Sequence, residues 1–204
     1  MIGFPAELDV SRETLERLKI YAELLKKWNP AINLVAPSTL DDLWHRHMLD
    51  SAQVFLARPE LAKSWCDVGT GGGFPGVVVA IMAKDAMPEL KVTCIESDIR
   101  KATFLRTVLR ETDVTADVIS DRIEKAPEQN ADVFSARALA PLKDLLNFSQ
   151  RHLADNGACL FLKGARFQEE IDEARENWRF EVDKIPSMTN SDAVILKIGA
   201  INRA

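Results

Sequence analysis

The sequence predicts an α/β protein: a mostly parallel sheet with one antiparallel strand near its C-terminal end, covered on both faces and preceded by a small helical segment. Three observations predict it. From residue 65 onward, short β-rich runs alternate with helical stretches, the pattern of parallel strands joined by crossover helices. A glycine-rich turn connects the first of those runs to an apolar, helical one. The last two β-rich runs are joined by a polar stretch that reads as a hairpin, and a hairpin forces one antiparallel strand onto the sheet. With 204 residues, 47% of them hydrophobic and 28% charged, the chain suits one domain with a sizeable core and a small appendage. A disordered or collagen-like polypeptide is excluded.

In chain order, residues 1–58 read as the helical segment. Leu15, Leu18, Ala22, Leu25 and Trp28 recur at steps of three and four, one face of an amphipathic helix, with Ser11 as its N-cap and Asn29-Pro30 as its stop. A second helix is expected to begin after Ser38, where Asp41 three residues on gives a capping-box-like start, and to run through Leu43, His47 and Ala52 toward Pro59. Residues 59–204 form the sheet domain. Its strands are expected at WCDV, KVTCIE, TADVIS, ADVFSA and ACLFLK, and its helices at VVVAIMA, RKATFLRTVLRE and PLKDLLNFSQRHL. FEVDKI and AVILKIGAI, joined by PSMTNSD, form the terminal hairpin.

Composition narrows the function. The longest apolar run, Phe74 to Ala83, is broken by Pro75 and Gly76 and falls short of the roughly 18 residues a bilayer span needs. The opening MIGFPAELDV has no secretory-signal pattern, so the expected compartment is the cytoplasm. Cys66, Cys94 and Cys159 have neither disulfide nor metal spacing and read as buried small hydrophobes. His45 and His47, two apart on a helix, point in different directions, so no metal site is legible. No serine or cysteine sits in a nucleophile-elbow sequence. A net charge of -5 does not advertise a polyanionic partner, and any nucleic-acid binding must come from a local patch.

The chemistry concentrates at Asp67-Val-Gly69-Thr-Gly71-Gly-Gly73-Phe74-Pro-Gly76. A plain strand-to-helix connector needs one glycine; this turn has five in eight residues, as close approach of a ligand to the backbone requires. Gly71-x-Gly73-x-x-Gly76 also spells the dinucleotide fingerprint, with Glu96 placed 20 residues on as its ribose acid, so an NAD-dependent reductase is one reading. S-adenosylmethionine is favoured on two grounds. Asp67 suits an ammonium and would repel a pyrophosphate, and the residues beyond one nucleotide fold are too few for a separate substrate domain.

The Glu96 carboxylate is placed to accept both ribose hydroxyls. Asp121, Arg122, Ile123 and Glu124, after the third strand, fall where an adenine would lie. Arg137 ends the fourth strand, where an acceptor must meet the cofactor. Lys163 and Arg166 follow the fifth, and together the three form a candidate patch for a phosphate-bearing substrate. The cations Arg100, Lys101, Arg106 and Arg110 on the helix after Glu96 read mainly as a solvated face. In the Arg46 to Ser51 stretch, packing through His47 and Leu49, with some contribution to the pocket, is expected.

These residues together resemble a family. The glycine turn with its Phe-Pro-Gly ending, Trp28-Asn29, Asn33-Leu34, Arg46-His47-Met-Leu-Asp50-Ser51, Ser135-Ala-Arg137-Ala-Leu-Ala-Pro141 and Leu162-Lys163-Gly164 are similar, in that order, to motifs of the RsmG, or glucose-inhibited division protein B, methyltransferases. The resemblance covers about residues 15 to 170. It implies a Rossmann-like class I S-adenosylmethionine-dependent methyltransferase sheet and methylation of N7 of guanine 527 in 16S ribosomal RNA of the small ribosomal subunit. It also implies Gly69, Phe74, Ile123, Glu124 and Arg137 as cofactor contacts. No catalytic base is expected, since guanine N7 carries no proton; a monomer without metal or membrane is expected as well. A non-catalytic RNA-binding assembly factor is the reading from another class.

Overall fold

The computed structural model describes residue 8 and residues 10–204. The opening MIGFPAELDV stretch therefore lies largely outside the described residues. Helix α1 (Arg12–Ile32) begins as expected: Ser11 Oγ accepts the Thr14 N–H at 3.0 Å. It does not stop at Asn29-Pro30. Pro30 sits in the last turn, where the loss of its own N–H removes a single bond, and the helix closes at Asn33, which is left-handed with φ 48° and bonds Asn29 O. Asn29 is buried and its Oδ1 accepts the Val35 N–H at 2.9 Å, so it fixes the exit of the chain.

The second helix also departs from expectation. Ser38 caps nothing; it lies inside a 3₁₀ turn, Pro37–Thr39, nucleated by the proline at its first position. The helical path starts at Trp44 as a π-helix (Trp44–Leu49) and continues as α2 (Asp50–Leu56).

The sheet follows the predicted alternation: β1 (Ser64–Val68), α3 (Gly76–Ala86), β2 (Lys91–Ile95), α4 (Ile99–Glu111), β3 (Asp117–Ile119), β4 (Ala131–Arg137), α5 (Leu142–His152), β5 (Leu153–Lys163), α6 (Phe167–Arg175), β6 (Trp178–Pro186) and β7 (Val194–Arg203). Strand order is β3-β2-β1-β4-β5-β7-β6. The first five strands are parallel, and β7 runs antiparallel to both β5 and β6. β5 begins earlier than predicted, directly after α5, with a register shift opposite Ala131 to Val133. Order reverses between β1 and β4, and at such a switch point the strand ends splay into a crevice where ligands bind.

Alternation along the strands divides the core in two. Trp65, Val92, Val133 and Leu160 face α1 to α4, whereas Cys66, Ile95, Phe134 and Phe161 face α5 and α6. The N-terminal helices thus share a core with one face of the sheet. The three cysteines are buried and unpaired, and burial pushes all three thiols up, that of Cys159 to about 12. Among the described residues no helix is long and apolar enough to cross a membrane, and no group of three or more His, Cys, Asp or Glu side chains is placed to hold a metal ion.

Candidate functional site

Two cavities open at the carboxyl ends of the strands and share one wall. The first, about 540 Å³, lies over the turn between β1 and α3. The second, about 740 Å³, lies between β5, the π-helix and the turn joining β6 to β7. Both are lined by His47 and by Arg137 to Ala140, so the end of β4 and the loop after it divide them.

The glycine turn makes the floor of the first cavity. Gly71 has φ 58°, and a Cβ there would meet nothing closer than Gly69 O at 3.7 Å, so its backbone faces open space. Gly76 is packed from below: a Cβ would lie 2.7 Å from both Asp67 Oδ2 and Cys94 Sγ. Asp67 is responsible. It is fully buried beneath the turn, its Oδ2 accepts the Gly76 N–H at 3.1 Å, and its Oδ1 accepts from Ser135 Oγ at 2.6 Å. Ser135 in turn accepts the Trp65 indole N–H at 2.8 Å. Burial raises the Asp67 pKa to about 6 against the lowering effect of these bonds. The expectation that Asp67 meets a ligand's ammonium is therefore corrected: it does not line the cavity and instead anchors the turn from underneath. Gly73 is likewise not in the lining; it faces Tyr21 and Val77.

Of the residues expected to contact the cofactor, Gly69, Gly71, Phe74, Glu96, Ile123, Glu124 and Arg137 line the first cavity. Glu96 accepts the Gly71 N–H on Oε2 and the Asp98 N–H on Oε1, each at 2.8 Å. One acceptor position on each oxygen is left, which suits a vicinal diol. Ile123 is held by His152, whose Nε2 lies 2.9 Å from the Ile123 carbonyl. Arg151 bonds Ala126 O at 3.0 Å, so the last turn of α5 supports the loop after β3.

Arg137 sits on the shared wall with its side chain 17% exposed. It donates to His47 Nδ1 at 2.8 Å and to Arg46 O at 3.2 Å, faces Asp50 Oδ2 at 3.5 Å, and lies 4.9 Å above the Phe74 ring. Burial draws its pKa down and Asp50 opposes that. Since Nδ1 of His47 accepts, Nε2 carries the proton and donates to Thr39 Oγ1 at 2.8 Å. Burial, then the charges of Arg137 and Arg46, lower the His47 pKa to about 4, so the ring is neutral.

Lys163 and Arg166 line only the second cavity. Lys163 is half-buried and donates to Ala140 O at 2.8 Å and Glu170 Oε2 at 2.7 Å. Glu170 Oε2 also accepts the Leu142 N–H that opens α5. Lys163 therefore holds the loop after β4. Arg166 is exposed and paired with Glu169 at 2.7 Å.

Residues that sequence reasoning missed come mostly from the N-terminal segment. Leu34 and Val35 line the first cavity. Tyr21 is fully buried on the inner face of α1, hydrogen-bonds Gly72 O and stacks on Phe74 with ring centroids 5.3 Å apart. Its signal was available: position 21 lies one step from Leu18 and Leu25 on the same face. Leu139, partly exposed, lies so close over Gly69 that a Cβ there would come within 2.5 Å of it.

A sheet of this order, with a glycine turn after β1, an acid after β2 and a ligand-sized crevice at the switch point, is the fold of class I S-adenosylmethionine-dependent methyltransferases. Solved structures share it at low identity. A TehB-like SAM-dependent methyltransferase from Corynebacterium glutamicum aligns with TM-score 0.54 and 16% identity over 74% of this chain and 86% of its own. A methyltransferase from Geobacter sulfurreducens gives 0.58 and 12% over 89% and 88%. The particular family is shown by sequence: the model described as GidB, rRNA small subunit methyltransferase G, matches residues 14–196, and the chain belongs to that family. Ribosomal RNA small subunit methyltransferase G of Ruegeria sp. strain TM1040 is 57% identical over 97% of this chain and 96% of its own length. The protein of that name from Cereibacter sphaeroides is 53% identical over 96% and 95%.

Proposed function

We propose that this chain transfers the methyl group of S-adenosylmethionine to N7 of guanine 527 in 16S ribosomal RNA. The observation that carries the reading is the pair of cavities meeting at Arg137: one suits a nucleoside-bearing cofactor, the other an incoming base. The first cavity fits the cofactor by its own chemistry. Its volume falls within the roughly 300–1,000 Å³ typical of small-molecule sites, Gly71 leaves backbone exposed, Glu96 offers two free acceptor positions, and Ile123 and Phe148 offer apolar surface for a ring. Bound there, S-adenosylmethionine supplies an electrophilic methyl on a sulfonium.

The chain's task is then alignment. Glu96 and the Gly69 to Gly72 backbone hold the donor side, and Ile123 and Glu124 border the adenine end. Arg137, fixed by His47 and Asp50, orients what meets across the shared wall, and Leu139 excludes water above the turn. Guanine N7 presents a lone pair in the ring plane and has no proton to lose, so no side chain need act as a base. Positioning of this kind contributes up to roughly 7–11 kcal/mol. Exposed Arg166 is assigned to the RNA backbone, with Lys163 supporting the loop beside it.

An NAD-dependent reductase using the same turn is the enzyme alternative, and family membership weighs against it. Titration of the purified protein with S-adenosylmethionine and with NADH, followed by single-turnover methylation of small-subunit particles, tests the proposal. Saturable S-adenosylmethionine binding and one methyl per particle are expected. NADH binding alone would overturn the assignment. Cofactor binding without transfer would favour a non-catalytic assembly factor.

A further inference from the structure

We infer that Asp50 is a positioning residue for Arg137, and that through it the turn joining β6 to β7 becomes a working part of the site. The inference rests on the methyl-transfer reading above and deepens it, because it traces the hold on Arg137 through Asp50 to a turn that reading does not use.

The two oxygens of Asp50 face different parts of the chain. Oδ2 lies 3.5 Å from Arg137 Nη1. Oδ1 accepts from Thr189 Oγ1 at 3.0 Å, Gln53 Nε2 at 3.1 Å and Ser187 Oγ at 3.5 Å. The turn is fastened again beside it, because the Met188 N–H donates to Gln53 Oε1 at 2.8 Å and Thr189 N–H donates to Ser187 Oγ at 3.1 Å. Residues some 137 positions apart in sequence are thus joined by one carboxylate with its side chain 17% exposed.

Local backbone geometry places that carboxylate. At the junction of the π-helix and α2, the Asp50 N–H bonds His47 O rather than the carbonyl four residues back. That carbonyl, Arg46 O, instead receives Arg137 Nη1 at 3.2 Å. One short stretch therefore supplies Arg137 with a carbonyl, an imidazole nitrogen and a carboxylate. Asp50 carries the only formal negative charge among them. A guanidinium held at one point swings about its flexible stem; held at three, it has one orientation. Ser187 also lines the second cavity beside Asp50, so the turn that fixes the carboxylate borders the space assigned to the base.

The test begins with wild-type protein on small-subunit particles. If no methyl is transferred, the functional reading fails, and the inference fails with it. With transfer established, Asp50→Asn keeps an oxygen toward Ser187, Thr189 and Gln53 but turns an N–H₂ toward Arg137. It is expected to lower kcat at least tenfold, to change the KM for particles less than threefold, and to leave amide exchange of Met188 and Thr189 in the free protein as in wild type. Asp50→Glu is expected to restore part of kcat. Ser187→Ala/Thr189→Val, which leaves the Arg137 partners in place, is expected to speed exchange of those amides and to lower kcat severalfold. Turnover by D50N within twofold of wild type would overturn the assignment of Asp50. Wild-type turnover by the double variant, with exchange accelerated, would remove the turn from the site.

Discussion

Arg137 donates to Nδ1 of His47 at 2.8 Å, which commits the imidazole to the tautomer that carries its proton on Nε2. A second proton would have to enter on the face the guanidinium already occupies. Burial first, and then the neighbouring charges of Arg137 and Arg46, bring the folded-state pKa down to about 4, against an ordinary value of 6.5. Between these values the unfolded chain binds a proton that the folded chain refuses. The contribution to stability is full above pH 6.5 and is lost as pH falls toward 4. Melting temperatures of wild type and His47→Gln from pH 4 to 7 should converge on the acid side; parallel curves would contradict the neutral assignment.

Gly76 is fixed by what lies under it. Alanine there would press its Cβ to 2.7 Å from Asp67 Oδ2 and Cys94 Sγ, both buried, and should cost about 1–3 kcal/mol in urea unfolding. Gly164→Ala, with nothing within 4 Å, serves as the control and should remain within about 0.5 kcal/mol of wild type.

Glu96 holds the Gly71 N–H while facing the cavity. Glu96→Gln replaces one acceptor with a donor and should weaken S-adenosylmethionine binding roughly tenfold to a hundredfold by calorimetry, as loss of hydrogen bonds to a charged group worth about 1.5–3 kcal/mol implies. Affinity unchanged would place the cofactor elsewhere.

Tyr21 tests whether the N-terminal helix serves the site. Tyr21→Phe retains the stack on Phe74 and loses only the bond to Gly72 O. A loss of about 1 kcal/mol in stability is expected, together with severalfold weaker cofactor binding. A stability loss with wild-type affinity would confine Tyr21 to packing.

Lys163 and Arg166 should separate. Lys163→Ala leaves Glu170 without its cation and frees the loop after β4, at a cost on the order of 2 kcal/mol, below the 3–5 of a fully enclosed pair because Glu170 is a quarter exposed. Arg166→Ala should leave the melting temperature unchanged and raise KM for particles. The reverse pattern would exchange their roles.

The strands and the glycine turn were legible because each depends on local chemistry: alternation, β-branched runs and backbone conformations that glycine supplies. Seven of the predicted cofactor positions line the first cavity for the same reason, since strand ends in a parallel sheet converge. Asp67 was misplaced because residue type identifies a carboxylate but not whether its oxygens point above or below the turn. Lys163 reads in sequence as part of a phosphate-binding patch because its partner, Glu170, lies on the next helix and meets it only through tertiary packing. Tyr21 and Asp50 were not assigned to the site because their partners, Gly72 and the turn at 187–189, are 51 and 137 or more positions away. The π-helix that turns Arg46, His47 and Asp50 toward Arg137 has no hydrophobic period of its own to announce it.

The most direct test is mass mapping of modified guanines in 16S ribosomal RNA from cells lacking this protein, with and without the wild-type chain restored. The account predicts that N7 methylation of guanine 527 disappears in its absence, returns with wild type and does not return with Arg137→Ala produced at equal level. Persistence of that methyl group in the cells lacking the protein would contradict it.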